Sequence, residues 1–181
     1  MSTCLRFLRI LLCILCIANE VMPAYVKLKN VVCTSLDKDF TDFEYCFINS
    51  VNKTNKSLSL KVKLFQLPIT NFTINTGFYK KMNGFKPFLY NVTIDGCKFL
   101  KNPTSSPQTK FFYDFYKDVS NINHSCPYNH DLVVENMSEY RINHRLVKIV
   151  PFPEGDYMLQ LLYMAYGINR AIVKIYISLV S

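Results

Sequence analysis

The segment Leu58-Ser59-Leu60-Lys61-Val62-Lys63-Leu64 places an apolar side chain at every second position, with serine or lysine between. This period of two is typical of a half-buried β-strand, because successive side chains on a strand point to opposite faces of the sheet. The same alternation recurs over residues 72–78, 88–94 and 171–179. The pattern predicts an all-β fold.

Turn residues separate these alternating runs. Asn83-Gly84 and Gly167 with Asn169 indicate hairpin connections. Prolines, which cannot donate to a sheet ladder, mark strand ends at Pro68, Pro87, Pro151 and Pro153. Strands are predicted at residues 24–34, 43–53, 58–67, 69–80, 87–95, 131–136, 140–149, 156–166 and 170–180. Many short strands favour a β-sandwich or a barrel.

One segment departs from the strand pattern. Apolar and aromatic residues recur there at helical spacing, which predicts one short helix inserted around 107–121. These residues are Phe111, Phe112, Phe115, Tyr116 and Val119. With no internal repeat and no low-complexity linker, we expect a single domain.

The N-terminal residues have the layout of a secretory signal peptide. Arg6 and Arg9 precede and enter an apolar run over residues 8–18, and Cys16-Ile17-Ala18 fits a cleavage site of small residues. We predict a signal peptide at 1–18 and a mature domain at 19–181, with cleavage after Ala24 as a second alternative. The run is shorter than the roughly 20 residues that span a bilayer, although an uncleaved anchor is a further alternative. The protein is therefore expected to be secreted, extracellular and not membrane-spanning.

The cysteines and the glycosylation sequons agree with secretion. Four cysteines follow the signal peptide, and an even number in an oxidising compartment predicts two disulfides with three possible connectivities. They are Cys33, Cys46, Cys97 and Cys126. Six N-x-S/T sequons predict N-glycosylation at Asn52, Asn55, Asn71, Asn91, Asn123 and Asn136.

The charge of the chain indicates no specific partner. The formal charge is +8, of which Arg6 and Arg9 supply two, so the mature chain carries +6. A basic surface can attract anionic partners. However, the basic residues are dispersed and no nucleic-acid motif occurs, so we expect a solvated positive face and no nucleic-acid partner.

No pattern typical of an enzyme is found. The chain has no G-x-S-x-G, no H-E-x-x-H and no phosphate-binding glycine loop. His124 and His130 flank Cys126, but a zinc site there would need a free thiolate rather than a disulfide. We expect no catalytic residues, no cofactor and no metal.

The last two predicted strands carry apolar residues on both faces. Tyr157, Leu159, Leu161 and Tyr163 share one face, and Met158, Leu162 and Met164 the other. The second face packs under a helix or a loop, or else the sheets enclose an apolar ligand cavity. The residues expected to line such a cavity are Phe47, Leu60, Val62, Phe88, Tyr90, Val92, Leu159, Leu161, Val173 and Ile175, with Phe111 and Phe115 as its cap.

Three motifs resemble the ML lipid-recognition superfamily, which includes the Niemann–Pick cholesterol-transfer protein and the ganglioside activator. They are Asp95-Gly96-Cys97-Lys98, Cys126-Pro127-x-x-x-Asp131 and the stretch PFPEGDY at 151–157. The stretch NGFKPFLYNVTIDGCKFL at 83–100, followed by SN-x-NH-x-CP at 120–127, is more closely similar to a large secreted insect family. That family is described mainly in Drosophila and carries a domain of unknown function, and the CheB chemosensory proteins resemble it.

The resemblance implies an immunoglobulin-like two-sheet β-sandwich, ML-like, that opens to hold a lipid. It also implies that Cys97 pairs with Cys126. Cys33 then pairs with Cys46, which a hairpin with its loop near residues 37–42 would bring together. The expected function is a secreted glycoprotein that binds a lipid or another small hydrophobic molecule, of the chemosensory or pheromone-related kind. The alternative is an interaction module with a filled core, whose partner is a receptor or another secreted protein.

Overall fold

The computed structural model describes residues 25–52, 55–146 and 153–180, which form a two-sheet β-sandwich. Its strands are β1 (Tyr25–Ser35), β2 (Thr41–Asn52), β3 (Asn55–Leu64), β4 (Phe72–Met82), β5 (Gly84–Asp95), β6 (Leu132–Ser138), β7 (Gly155–Ala165) and β8 (Ile168–Val180). Its helices are α1 (Gly96–Lys101), α2 (Pro107–Tyr116) and α3 (Glu139–Leu146). The all-β prediction is confirmed. The predicted signal peptide lies outside the described residues.

Both sheets are antiparallel. A five-stranded sheet has the order β1-β8-β7-β4-β5, and a three-stranded sheet has the order β2-β3-β6. Every predicted strand except 140–149 overlaps an observed strand, with ends that differ by three residues at most. Both predicted hairpins form, and Tyr166 and Gly167 take positive φ angles of 54° and 77°. A two-residue turn with both central residues in that conformation matches the twist of its strands.

The connection between β1 and β2 differs from the expected hairpin. β1 pairs with β8 and β2 pairs with β3, so the two strands belong to opposite sheets and the segment between them is an arch. The Cys33–Cys46 disulfide joins the two strands, with Cα atoms 6.2 Å apart. The cysteine pairing is confirmed and the hairpin is wrong. The disulfide links an edge strand of one sheet to an edge strand of the other.

The predicted strand at 140–149 is wrong, because residues 139–146 form helix α3. Ile142 and Leu146 are four residues apart, and both are buried in the core. A helix places side chains with that spacing on one face, so the apolar period of this segment is helical. Residues 147–149 lie outside the described part of the chain.

Helix α3 also provides hydrogen-bond partners for backbone groups on the free edge of β1. The carboxylate of Glu139 accepts a hydrogen bond from the backbone N–H of Leu28 at 2.6 Å. One turn later, the Asn143 amide donates to the carbonyl of Val26 at 3.1 Å. An unpaired edge strand exposes backbone groups that can recruit another chain. Two polar side chains on one helix face cover that edge in place of a further strand.

The predicted helix around 107–121 is confirmed over 107–116 as α2. A short 3-10 turn continues it to residue 119. Of the helices in the described ranges, none is long and apolar enough to cross a bilayer.

Helix α1 has no counterpart among the predicted elements. Asp95 caps its start, since the carboxylate accepts from the backbone N–H of Lys98 at 2.9 Å. Gly96 is required at the next position, because a Cβ atom there would lie 2.1 Å from the Phe72 ring. The motif Asp-Gly-Cys therefore begins a helix packed tightly on β4.

Candidate functional site: a cavity between the sheets

One end of the sandwich is filled by aromatic rings. Phe78 on β4 stacks on Tyr157 on β7, with ring centroids 5.2 Å apart and planes at 4°. Phe112 of α2 approaches Phe78 at 5.8 Å, and Phe88 of β5 approaches Tyr157 at 5.7 Å. These rings pack between the five-stranded sheet and α2, so this end forms a packed core.

The other end of the sandwich is hollow. A cavity of about 120 Å³ lies between β2, β3 and β6 on one side and β4, β7 and β8 on the other. The three-stranded sheet contributes Phe43, Leu58, Leu60, Val62, Leu64, Leu132, Val134 and Met137 to its wall. The five-stranded sheet contributes Phe72, Ile74, Leu161, Tyr163, Met164, Ala165, Ala171, Val173 and Ile175. Because these walls are almost entirely apolar, the cavity favours hydrocarbon over water.

A small hydrophobic cluster forms part of the cavity wall at its outer end. This loop cluster consists of Phe40, Ile69, Tyr128 and Ala165, all at most 5% exposed. Ile69 and Tyr128 exchange two backbone hydrogen bonds, at 2.7 and 2.9 Å, which join the loop after β3 to the loop before β6. Because the loop cluster is built mostly from loops, few sheet hydrogen bonds hold its residues in place.

Arg170 is the one charged residue among the cavity-lining residues of the described ranges. Its guanidinium forms an ion pair with Asp37 and donates to the carbonyl of Ala165 at 3.3 Å. It also lies over the ring of Phe40, 3.9 Å from the centroid. The charge is therefore neutralised within the wall.

Tyr163 and Tyr116 bring polar atoms to the cavity, which Thr41 and Tyr128 also line. Tyr163 lies on β7, and Tyr116 lies at the C-terminal end of α2. Burial raises the pKa of Tyr163 to about 12. Burial, with a further contribution from the neighbouring Tyr163, holds the pKa of Tyr116 well above its usual value. Both hydroxyls consequently stay protonated at physiological pH.

The structure brings together five of the twelve side chains expected at a cavity. Leu60, Val62, Leu161, Val173 and Ile175 all lie in its wall. They follow the inward parity of the central strands β3, β7 and β8, where alternation is regular. At these positions the hydrophobic pattern identifies the inner face of the sandwich.

Six further expected side chains lie elsewhere. Phe88, Tyr90, Phe111, Phe115 and Leu159 pack against the core cluster without lining the cavity, and Val92 is half-buried on the edge strand β5. Phe111 and Phe115 contact Phe112 in the filled end, so they do not cap the cavity. Periodicity identifies which side chains point inward, but it does not tell whether the space they face is occupied.

Phe47 departs from its expected inward position, because it is 40% exposed. Its strand has a β-bulge between Phe43 and Tyr45. The extra residue reverses the parity of β2, so Cys46 and Ile48 face the core and Phe47 faces outward. An unbroken alternation from Phe43 would have placed Phe47 inside.

Most of the lining residues that were not predicted lie on strands, and five come from loops or from α2. Phe40, Ile69, Ile122 and Tyr128 lie outside the strands, and Tyr116 belongs to the aromatic stripe of the helix. Tyr163 shares the inward parity of Leu161, which was a usable signal. The loop residues had none, since their positions depend on tertiary contacts.

The second disulfide, Cys97–Cys126, is confirmed and ties α1 to the loop before β6. Beside it, the Nε2 atoms of His124 and His130 lie 2.9 Å apart. Within the described residues, no group of three or more histidine, cysteine, aspartate or glutamate side chains is arranged to hold a metal ion.

Most predicted glycosylation sites are accessible. The exposed sequon asparagines are Asn71, Asn91, Asn123 and Asn136, and Asn55 is half-buried. The side chain of Asn52 lies outside the described part. Asn91 lies on the outer face of β5, where a glycan has room. Occupancy of all six sites stays a prediction.

The fold and the site together define an all-β sandwich with two disulfides and an apolar internal cavity. Residues 74–159 match the family model described as "Protein of unknown function (DUF1091)". The match extends from β4 into β7 and covers slightly less than half of the chain. This domain is consistent with the expected family of unknown function. No curated protein matches the chain.

Proposed function

We propose that the protein is a secreted glycoprotein that binds one small hydrophobic molecule between its sheets, in a chemosensory or related role, without catalysing a reaction. The single observation that carries the proposal is the apolar cavity of about 120 Å³. An empty cavity destabilises a protein by about 24 cal/mol per Å³. A cavity of 120 Å³ left vacant thus costs about 3 kcal/mol, which a bound ligand can offset.

The cavity volume limits the size of the ligand. An apolar cavity of about 150 Å³ in another protein holds benzene or xenon. By that standard, 120 Å³ suits a compact molecule or the end of one hydrocarbon chain. A lipid with two acyl chains would require the sheets to separate. We therefore favour a small hydrophobic molecule over a membrane lipid.

A second candidate function is binding to a protein partner through the outer end of the sandwich. Large apolar side chains are exposed in or beside the loops there, at Leu36, Phe65, Leu67 and Ile168. Phe65 adjoins the loop cluster, since its backbone N–H donates to the carbonyl of Phe40. Exposed apolar patches often mark interaction sites.

Native and denaturing mass spectra of the protein purified from insect-cell medium test the proposal. We expect a discrete additional mass in the native spectrum that is lost on denaturation and is recovered as a hydrophobic compound in the extract. A native mass equal to polypeptide, glycans and two disulfides, together with a stoichiometric protein partner, would support the second candidate instead.

A pair of substitutions on one strand locates the site. Leu161 faces the cavity, whereas Leu162 lies on the opposite face of β7. We expect Leu161→Phe, which occupies the cavity without adding charge, to abolish ligand retention while Leu162→Phe leaves it unchanged. Equal retention by both folded variants would show that the ligand lies elsewhere.

A further inference from the structure

Within the described part of the chain, Tyr116 and Tyr163 lack the hydroxyl hydrogen bond that Tyr128, the third lining tyrosine, and Tyr157 make. Tyr128 donates its hydroxyl hydrogen to the carbonyl of His124, and Tyr157 donates to that of Pro153. Among the described residues, the hydroxyls of Tyr116 and Tyr163 have no hydrogen-bond partner. An unsatisfied hydroxyl in an apolar environment is unfavourable. The two cavity hydroxyls therefore have unused capacity to bind a polar group.

Both of these side chains line the cavity and are only partly exposed. Both tyrosines are surrounded by protein, which is why burial is the largest cause of their raised pKa values. Both nevertheless keep partial accessibility, and neither hydroxyl oxygen is fully enclosed. Both side chains line the same cavity, Tyr163 from β7 and Tyr116 from the end of α2.

Among the described lining residues, no positive charge is free to pair with an anion. Arg170 is engaged by Asp37, by the Ala165 carbonyl and by the Phe40 ring. Thr41 donates to the Lys63 carbonyl and Tyr128 to the His124 carbonyl, and apart from Tyr116 and Tyr163 the other described lining residues are apolar. An unpaired carboxylate is far more costly to bury than a neutral group. A protonated tyrosine can donate to a neutral oxygen or accept from a hydroxyl without this cost.

We propose that the ligand is a neutral hydrophobic molecule with one oxygen function, an alcohol or a carbonyl, which hydrogen-bonds to Tyr163 and Tyr116. The hydrocarbon part fills the apolar remainder of the cavity. This inference rests on the proposed function, because it assigns the chemical class of the molecule bound at the same site.

Three compact probes of similar shape test this inference: cyclohexanol, methylcyclohexane and cyclohexanecarboxylate. Their dissociation constants are measured by calorimetry for the glycosylated, delipidated protein and for its Tyr163→Phe and Tyr116→Phe variants. Tyr140→Phe is the matched control, since Tyr140 is 72% exposed. Unfolding in urea verifies that each variant is folded.

We expect Tyr163→Phe and Tyr116→Phe each to weaken cyclohexanol binding by roughly threefold to tenfold, the net value of one hydrogen bond. Methylcyclohexane binding should change by less than about twofold, and the control should change neither. Cyclohexanecarboxylate should bind more weakly than cyclohexanol at neutral pH.

Two results would overturn the inference and leave the proposed function intact. The first is methylcyclohexane binding with no selective loss of cyclohexanol in either variant. The second is tighter binding of the carboxylate than of the alcohol. If none of the three probes binds to the folded protein, both the inference and the proposed cavity function are wrong.

Discussion

Filling the cavity from Ala171 should stabilise the ligand-free protein. Ala171 lies on β8, is 4% exposed, and neighbours Tyr163 of β7 across the sheet. Ala171→Leu adds three carbon atoms that project toward the cavity. Each buried methylene contributes about 0.8 kcal/mol, for an upper limit of about 2.4 kcal/mol. Ordering the leucine side chain costs about 0.5–1 kcal/mol.

The expected net gain is thus about 1–2 kcal/mol in the free energy of unfolding. Urea unfolding of the oxidised, ligand-free protein measures it, and an unchanged m-value verifies that the unfolded state is the same. Lys174→Leu is the control, because it adds an apolar side chain to the opposite face of β8. The control should not affect ligand retention, whereas Ala171→Leu should reduce it.

The opposite outcome would refute this reasoning. Overpacking a filled core usually costs about 1–3 kcal/mol. If Ala171→Leu destabilises the protein by such an amount and still retains ligand, the space beside Ala171 is not available. The cavity would then not be the binding site.

Three further predictions concern the supports of the fold. Glu139→Ala should lower the free energy of unfolding by about 1.5–3 kcal/mol, because the buried N–H of Leu28 loses its charged acceptor; Glu139→Gln, measured alongside in urea, should lose less. Asp37→Asn should destabilise the protein more than Arg170→Met does. The first substitution leaves a buried cation unpaired, whereas the second leaves an aspartate that water can reach. The reverse order of urea midpoints would contradict this prediction. The pKa of Tyr163, raised from 10 to about 12, favours the folded state. That stability is fully present below pH 10 and is lost as pH rises through about 12. Tyr163→Phe should therefore reduce the alkaline loss of stability between about pH 9 and 12 by up to roughly 2–3 kcal/mol, which urea midpoints across that range will measure.

Local sequence patterns were sufficient to predict the inward-facing residues where the strands are regular. The alternation in β3 and β8 predicted inward residues that line the cavity, including Leu60 and Val173. The same rule failed at Phe47, because a bulge inserts one residue into β2 and reverses its parity. A bulge depends on pairing with the neighbouring strand, so the sequence of one strand does not reveal it.

Helix α3 shows a second limit of local patterns. Its apolar residues Ile142 and Leu146 fit a helix, but the segment is short and was predicted as a strand at 140–149. Its conformation depends on β1, whose free edge is satisfied by Glu139 and Asn143. Glu139 and its partner Leu28 are separated by 111 positions in the chain.

Both disulfide pairs were expected only from the family resemblance. The sequence by itself determined the all-β class, the positions of most strands and the helix α2. These follow from local periodicity, turn chemistry and short motifs, which act over a few residues. Only the tertiary structure decided that one end of the sandwich is filled and the other hollow. The reason is that Phe88 and Leu161 have the same inward pattern, while the space each one faces depends on side chains from distant strands, loops and α2.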